Sequence, residues 1–134
     1  MAKLVFITGA SSGIGQALAW RYYLAGFSLA LVARRSAEMQ TWMVQQNISA
    51  DRCKIYSADV SDMDSIVSAG QLCLQSQGVP DVVIANAGIS VGMDSAVRSD
   101  LDVMARTFAT NNLGLAATFH PFIDAMVQRG SGAL

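Results

Sequence analysis

Short apolar stretches alternate with longer helical patterns along most of this chain. The apolar stretches are residues 4–7, 28–32, 53–57 and 81–85, and each carries apolar side chains on both faces. Strands that are apolar on both faces are typical of a parallel sheet covered by helices on both sides. The alternation therefore predicts an α/β fold with a doubly wound parallel sheet and right-handed crossovers.

Three helices are predicted between these strands. They cover residues 13–25, 36–46 and 61–77. Ser36 is expected to cap the second helix, and Ser61 opens a capping-box pattern at the start of the third. These boundaries give the strand-helix alternation that a doubly wound sheet needs.

A longer helix is predicted near the end of the chain. Its pattern runs from Ser99 toward Phe119, and Ser99 and Asp102 form the expected capping pair. Pro121 is expected to break or kink the helix, because proline lacks the amide proton and its ring clashes with the preceding turn. Residues 132–134 look like the first residues of a fifth strand, so we expect the chain to stop where that strand begins.

The composition indicates one domain. The chain has 134 residues, of which 52% are apolar, and this is enough for one core and too few for two. No internal repeat or linker divides it, so residues 1–134 are interpreted as a single domain. Charged residues make up only 14%, against roughly 25% in an average protein, and the mean hydropathy is +0.37. Such a surface suggests missing or oligomeric contacts, and we expect a homo-oligomer.

The charge pattern argues against nucleic acid and membranes as partners. The formal net charge is −1, and the basic residues are too scattered to form a stripe for a polyanion. The apolar runs are far shorter than the roughly 20 residues that span a bilayer, and the first residues lack the apolar length of a signal peptide. A cytoplasmic location is therefore expected. Cys53 and Cys73 form no metal-ligand pattern and are interpreted as buried thiols.

A glycine-rich segment joins the first strand to the first helix. Residues 8–15 read TGASSGIG, so backbone amides and the positive end of a helix dipole converge on one place, which attracts a phosphate. Glycine is needed where the backbone turns with positive φ or where a Cβ would hold a pyrophosphate away. An ordinary glycine-rich turn is the alternative. The predicted phosphate-binding residues are Gly9, Ser11, Ser12, Gly13, Ile14 and Gly15.

This segment resembles the short-chain dehydrogenase/reductase family, which carries TGxxxGIG at its first strand-helix turn. Residues 8–15 match that motif fully, and the resemblance covers essentially all of the chain. It implies a Rossmann-type sheet with strand order 3-2-1-4, truncated at the start of strand five. It also implies a nicotinamide cofactor and, in the complete form, a small-molecule carbonyl or alcohol substrate.

The residues after the second strand indicate which nicotinamide cofactor is bound. Dinucleotide-binding folds usually place an acidic residue about 20 positions after the glycines, where it binds the adenosine ribose. Here that position is Ala33, which is followed by Arg34 and Arg35. Guanidinium groups suit a 2′-phosphate in charge and geometry, so the sequence predicts NADP(H). Two solvated arginines before a helix are the alternative.

Two further strand ends match the family. Asp59 and Val60 follow the third strand, where the family uses the carboxylate and adjoining backbone to hold the adenine ring, although the helix dipole alone also favours an acid there. Asn86, Ala87 and Gly88 follow the fourth strand and match the family's NAG motif. Asn86 can bond a neighbouring strand, and Gly88 is implied to pass close to the nicotinamide-side ribose. A plain turn at the strand end is the alternative.

One polar residue interrupts the apolar side of the long helix. Met104, Phe108, Asn111 and Leu115 fall on one stripe at helical spacing, and a polar amide in that stripe needs partners. The resemblance implies a role, since residues 111–114 fit the family's NxxG pattern, whose asparagine belongs to the catalytic tetrad and helps hold a water near the lysine. The spacing favours Asn111 over Asn112 as that catalytic residue, and a structural role for both is the alternative.

The other catalytic residues of the family are not found in the sequence. The family transfers hydride with a Ser, a Tyr and a Lys four residues after that Tyr, but Tyr22, Tyr23 and Tyr56 have no lysine at that offset. His120, the only histidine, has no suitably spaced partners, and no chemistry is assigned to it. These 134 residues alone are therefore expected to bind NADP(H) without catalysing a reaction.

Three functions remain open at this point. The leading hypothesis is an NADP(H)-dependent short-chain oxidoreductase that, in its complete form, interconverts an alcohol and a ketone or aldehyde. The alternatives are a non-catalytic NADP(H)-binding module and a truncated fragment without activity. A Ser followed by a Tyr-x-x-x-Lys motif beyond residue 134 would favour the enzyme.

Overall fold

Four parallel strands form one sheet in the computed structural model, which describes residues 2–89 and 91–134. Their order is β3-β2-β1-β4, and their bounds are β1 (Leu4–Thr8), β2 (Ser28–Ala33), β3 (Cys53–Ser57) and β4 (Val82–Ile84). Each bound lies within one residue of the predicted one. The predicted α/β architecture and the 3-2-1-4 strand order are confirmed.

Helices cover both faces of this sheet. Helices α1 and α2 cover one face, and α3 and α5 cover the other, so the core divides into two clusters of buried side chains. No helix in the described residues is long and apolar enough to cross a membrane. The helix bounds are α1 (Gly13–Leu24), α2 (Ser36–Gln45), α3 (Met63–Ser76), α4 (Arg98–Phe108) and α5 (Gly114–Arg129).

Strand β1 packs against both helical layers, and this explains why residues 4–7 are all apolar. Val5 and Ile7 are fully buried on the side of α1 and α2, whereas Phe6 is fully buried on the other side. The Phe6 ring meets the Phe122 ring of α5 edge to face, with ring centroids 4.8 Å apart. A slip of one residue would exchange the two faces, so this packing fixes the register of the central strand.

The amino ends of β1 and β4 are tied together by polar contacts. The Asp81 carboxylate accepts a hydrogen bond from the Leu4 amide at 2.8 Å. Arg129 at the end of α5 lies 3.7 Å from the other Asp81 oxygen and donates to the Pro80 carbonyl at 2.7 Å. These bonds connect the end of α5 to the amino ends of β1 and β4, which lie at the edge of the sheet opposite the carboxyl ends of the strands.

The last residues pair with the sheet edge. Ala133 forms a parallel bridge with Val82, in which the Val83 amide donates to the Ala133 carbonyl at 2.9 Å and the Ala133 amide donates to the Asp81 carbonyl at 3.0 Å. Residues 132–134 were expected to begin a fifth strand, and Ala133 occupies the position next to β4 that such a strand would take.

Two predicted helix caps are wrong. Ser36 is the first residue of α2 rather than its cap, and no side chain caps that helix. Asp62, not Ser61, caps α3, because its carboxylate accepts hydrogen bonds from the amides of Asp64 and Ser65. The physical reason is that the Ser61 hydroxyl already donates to Asp59 at 2.7 Å.

The predicted capping pair of the long helix is also wrong. Helix α4 begins at Arg98, with Val97 in the N-cap position and no side-chain cap. Ser99 therefore lies inside the first turn. Asp102 is instead 3.4 Å from the Arg98 guanidinium, one helical turn back along α4.

Pro121 does not break the helix as predicted. Helix α5 includes Pro121 and continues to Arg129, where Gly130 ends it with a φ of 78°. The proline ring packs against α3 at Gly70, where a Cβ would lie 2.6 Å from Pro121 Cγ. The predicted break did not take into account that the proline ring can pack into the space left by Gly70.

Cys53 and Cys73 are buried free thiols, as predicted. They belong to the core clusters on opposite faces of the sheet, so no disulfide joins them. Burial raises the pKa of each thiol to about 12, which keeps both neutral at physiological pH.

The contact between α3 and α5 at Gly70 gives a testable prediction for stability. Gly70→Val is expected to lower the free energy of unfolding by about 1–3 kcal/mol, because the added atoms must displace the Pro121 ring. Ser68→Val on the exposed side of the same helix is the matched control, and it should change stability by less than about 0.5 kcal/mol. Denaturant unfolding measures both. Equal stability of the two variants would contradict the close contact.

Candidate functional site

A cleft of about 850 Å³ opens at the carboxyl end of the sheet, between the strand ends and helix α4. In doubly wound sheets, ligands bind outside this edge. Gly15, Arg35 and Asn111 do not line the cleft. Its lining includes most of the predicted site residues, namely Gly9, Ser11, Ser12, Gly13, Ile14, Arg34, Asp59, Val60, Asn86, Ala87 and Gly88.

The three glycines of the first strand-helix turn have different physical roles. A Cβ on Gly9 would lie 2.9 Å from Ala87 Cα, and a Cβ on Gly15 would collide with the Gly9 carbonyl oxygen. These two glycines let the backbone pack closely beneath the cleft. Gly13 has a φ of 55° and open space where its Cβ would be, so it leaves room for a ligand above the turn.

The amino end of α1 is open toward this cleft. Ser12 occupies the N-cap position, but its side chain makes no capping hydrogen bond, and the first turn holds no acidic residue. The first intrahelical bond in this turn is donated by the Gln16 amide, so the preceding amides lack helical partners. The helix dipole adds positive potential at the same place. This geometry fits an anionic group such as a pyrophosphate.

Hydrogen bonds between β1 and β4 hold this turn in place. The Asn86 amide nitrogen donates to the Gly9 carbonyl at 3.1 Å. The Ala87 backbone amide donates to the hydroxyl of Thr8, which is buried, also at 3.1 Å. The predicted bonding of Asn86 to a neighbouring strand is present, and Thr8 adds a second brace. The two strand ends on the cleft floor therefore act as one unit.

Asn111 lies in a π-helical segment between α4 and α5, Ala109–Leu113. Its side-chain oxygen accepts a hydrogen bond from the Ile89 amide at 2.7 Å, and its side-chain nitrogen donates to the Ile89 carbonyl at 2.6 Å. Gly88 lies beside this pair, since a Cβ there would be 3.0 Å from the Asn111 oxygen. Asn112 is exposed, so it is Asn111 that connects the helix to the residues after β4.

Two members of the apolar stripe predicted around Asn111 are exposed. Phe108 is 55% exposed and Leu115 is 44% exposed. The π-helical segment adds a residue to the turn. Residues before and after this segment therefore do not follow the spacing of a regular α-helix. The buried side at this point is formed by Thr110 and Gly114.

The end of β3 forms another part of the cleft floor. The Asp59 carboxylate accepts hydrogen bonds from the Ser61 hydroxyl at 2.7 Å and from the Ser61 amide at 2.9 Å. These bonds, with a smaller contribution from the Arg34 charge, lower the pKa of Asp59 below its usual value. Val60 packs against Gly114 of α5, where a Cβ would collide with the Val60 carbonyl. Gly114 therefore sets how closely the long helix approaches β3.

The two arginines after β2 differ in position. Arg34 lines the cleft and is exposed to solvent. The Arg35 side chain is 80% exposed and lies 3.8 Å from Glu38, outside the cleft lining. Ala33, where many dinucleotide-binding folds have an acid, is buried and offers no acceptor side chain. Of the two arginines, only Arg34 is placed at the cleft.

One wall of the cleft was not predicted from the sequence. Helix α4 contributes Val103, Arg106 and Thr107, and the π-helical segment contributes Thr110. These four residues follow helical spacing, which is the signal that could have identified a common face. Their mixed polarity obscures that spacing, because a helix face is recognised in a sequence mainly by its apolar residues.

The clamp between Asn111 and Ile89 can be tested by hydrogen exchange. Asn111→Ala removes both hydrogen bonds to Ile89, so the Ile89 amide is expected to exchange about tenfold faster or more. Asn112→Ala is the matched control, since Asn112 is exposed, and it should leave that rate unchanged. A similar acceleration in both variants would show that Asn111 does not hold this segment.

Comparison with known proteins identifies the family. The chain matches the short chain dehydrogenase family over residues 3–134. It is 34% identical to a dehydrogenase/reductase SDR family protein 7-like of Anopheles gambiae, covering 98% of this chain and 43% of that protein. It is 30% identical to a sulfoacetaldehyde reductase of Chromohalobacter salexigens, covering 99% of this chain and 52% of that protein.

A solved structure has the same fold. An alcohol dehydrogenase from the archaeon Thermococcus sibiricus, complexed with 5-hydroxy-NADP, superimposes with a TM-score of 0.83 at 29% identity, covering 99% of this chain and 57% of that one. This chain thus spans about half the length of the relatives that it matches. The family match over residues 3–134, together with the sheet order and the glycine turn, shows that the chain belongs to the short-chain dehydrogenase/reductase family of oxidoreductases.

Proposed function

We propose that this chain is the NADP(H)-binding part of an oxidoreductase that interconverts an alcohol and a ketone or aldehyde. The observation that carries the proposal is the uncapped amino end of α1, which opens into a cleft that also contains Arg34. The nicotinamide ring would donate the hydride to a carbonyl, or accept it from an alcohol, when the cofactor is bound. The residues of this chain bind and orient the cofactor.

The pyrophosphate of the cofactor fits the turn between β1 and α1. The free amides of the first helical turn and the hydroxyls of Ser11 and Ser12 are donors that line the cleft. Gly13 leaves open space above them. A neutral ligand would leave these donors and the helix dipole without a complementary charge, so a phosphate-bearing ligand is favoured.

The choice of NADP(H) over NAD(H) rests on residues 33 and 34. Ala33 cannot accept hydrogen bonds from the ribose hydroxyls, whereas the exposed guanidinium of Arg34 can pair with a 2′-phosphate. The solved relative from Thermococcus sibiricus was complexed with 5-hydroxy-NADP, which supports the same preference. Asp59 and Val60 are proposed to hold the adenine ring beside this arginine.

The proton-transfer residues are proposed to lie outside residues 1–134, which would then form one cofactor domain. Tyr56 is turned away from the cleft, since its hydroxyl bonds Ser76 and Gln77 at 2.7 Å each, and burial raises its pKa to about 12. Tyr23 lies against the Arg52 guanidinium, away from the cleft lining. Asn111 remains the catalytic residue proposed from this chain, held by Ile89.

A non-catalytic NADP(H)-binding module is the second candidate function. It requires only the phosphate donors at the amino end of α1 and the arginine that the cleft lining already holds. Both candidates bind the same cofactor, so affinity alone does not separate them.

Oligomeric state and cellular location are proposed as well. We propose a homo-oligomer, because apolar side chains are exposed along the long helix, among them Leu101, Phe108, Ile123 and Val127. A cytoplasmic location is also proposed.

Cofactor preference tests the role of Arg34. Arg34→Asp is expected to weaken NADPH binding at least about tenfold, a loss of about 1.4 kcal/mol, and to shift the preference toward NADH. Arg35→Asp is the control, with a smaller effect, because Arg35 lies beside Glu38 outside the cleft. Fluorescence titration with both coenzymes measures these changes. A preference for NADH in the unsubstituted protein would overturn the assignment.

Activity separates the enzyme from the binding module. The full-length protein is expected to oxidise NADPH in the presence of a panel of aldehydes and ketones, and Asn111→Ala should lower kcat more than it weakens NADPH binding. NADPH binding without turnover of any carbonyl or alcohol would favour the module.

A further inference from the structure

A second guanidinium lines the cofactor cleft, on the wall opposite the strand ends. Arg106 lies in the last turn of α4 and shares the cleft with Arg34, which follows β2. Arg106 makes no ion pair within residues 2–89 and 91–134, the part of the chain described. Its charge is therefore available to a ligand.

The carboxylates on α4 explain why Arg106 has no partner on its own helix. Asp102, four residues earlier, is the carboxylate that usually pairs with such an arginine. It lies instead 3.4 Å from Arg98, one turn in the other direction. Asp100 accepts a hydrogen bond from the Asp94 amide at 2.8 Å. Both acidic side chains of the helix are thus engaged with residues other than Arg106.

The charges of the cleft lining favour an anion. Arg34 and Arg106 are its cations, and Asp59 is its only carboxylate among the residues that the structure describes. One Asp59 oxygen already accepts two hydrogen bonds from Ser61. The helix dipole of α1 contributes only about half an elementary charge, whereas NADP(H) carries phosphates at two positions. A side chain with a full charge on the α4 wall would complement that ligand.

We propose that Arg106 is a second phosphate-binding arginine, which binds a phosphate of the dinucleotide from the α4 side of the cleft. The inference rests on the proposed function, because it requires NADP(H) in this cleft. The forked donors of the guanidinium suit phosphate oxygens. The pyrophosphate and the 2′-phosphate offer the same chemistry, and the choice between them is made by comparing NADPH with NADH, which lacks the 2′-phosphate.

The test uses three variants of the full-length protein titrated with NADPH and NADH. Arg106→Gln is expected to weaken NADPH binding about tenfold, as the loss of one charge-assisted hydrogen bond does. Arg106→Lys should restore most of the affinity because it keeps the charge. Arg98→Gln, an exposed arginine of the same helix outside the cleft, is the matched control and should bind as the unsubstituted protein does. An equal loss for both coenzymes assigns the pyrophosphate, and a loss for NADPH alone assigns the 2′-phosphate.

Two results would overturn the proposal. One is NADPH and NADH binding by Arg106→Gln within about twofold of the unsubstituted protein; the other is equal weakening by Arg106→Gln and Arg98→Gln, which would show that the loss does not depend on a position in the cleft. Failure of the unsubstituted protein to bind NADPH would instead reject the proposed function. Each variant is expected to keep a normal circular dichroism spectrum, because the substituted residue is exposed. A loss of affinity then reflects the binding site and not unfolding.

Discussion

The close approach of the first and fourth strand-helix turns is the constraint on which the cleft depends. Gly9 and Gly15 remove the Cβ atoms that would keep these turns apart, and Asn86 then reaches the Gly9 carbonyl. The hydroxyl of Thr8 adds a bond to the neighbouring backbone. With the turns fixed, the amino end of α1 faces one defined point above the sheet, where its unpaired amides attract an anion.

The long helix forms the other side of the site and is itself positioned by close contacts. Gly114 allows it to approach Val60 at the end of β3, and Gly70 of α3 accommodates the ring of Pro121 further along. Between the two helical parts, the π-helical segment carries Asn111, whose amide bonds the backbone after β4. π-Helical turns are frequent at functional sites, and this one joins the helix to the cleft floor.

The sheet and the glycine-rich turn after β1 could be predicted from sequence because their signals are local. The strands are apolar on both faces, and residues 8–15 combine their glycines with the start of a helix. The errors arose where distant residues compete or fit together. Ser61 was expected to cap α3, but its hydroxyl is bonded to Asp59, and Pro121 stays inside a helix because its ring packs at Gly70. The place of Arg106 in the cleft wall depends on how α4 lies over the strand ends, which helical spacing alone does not give.

The proposed binding of the cofactor's pyrophosphate at the open amino end of α1 can be tested directly. The most direct measurement is a titration of the isotope-labelled full-length protein with NADPH, followed through its backbone amide resonances. We expect the amides of Ser12, Gly13 and Ile14 to shift most, because these residues line the cleft at the amino end of α1. Saturable NADPH binding that leaves these amides unshifted would contradict it.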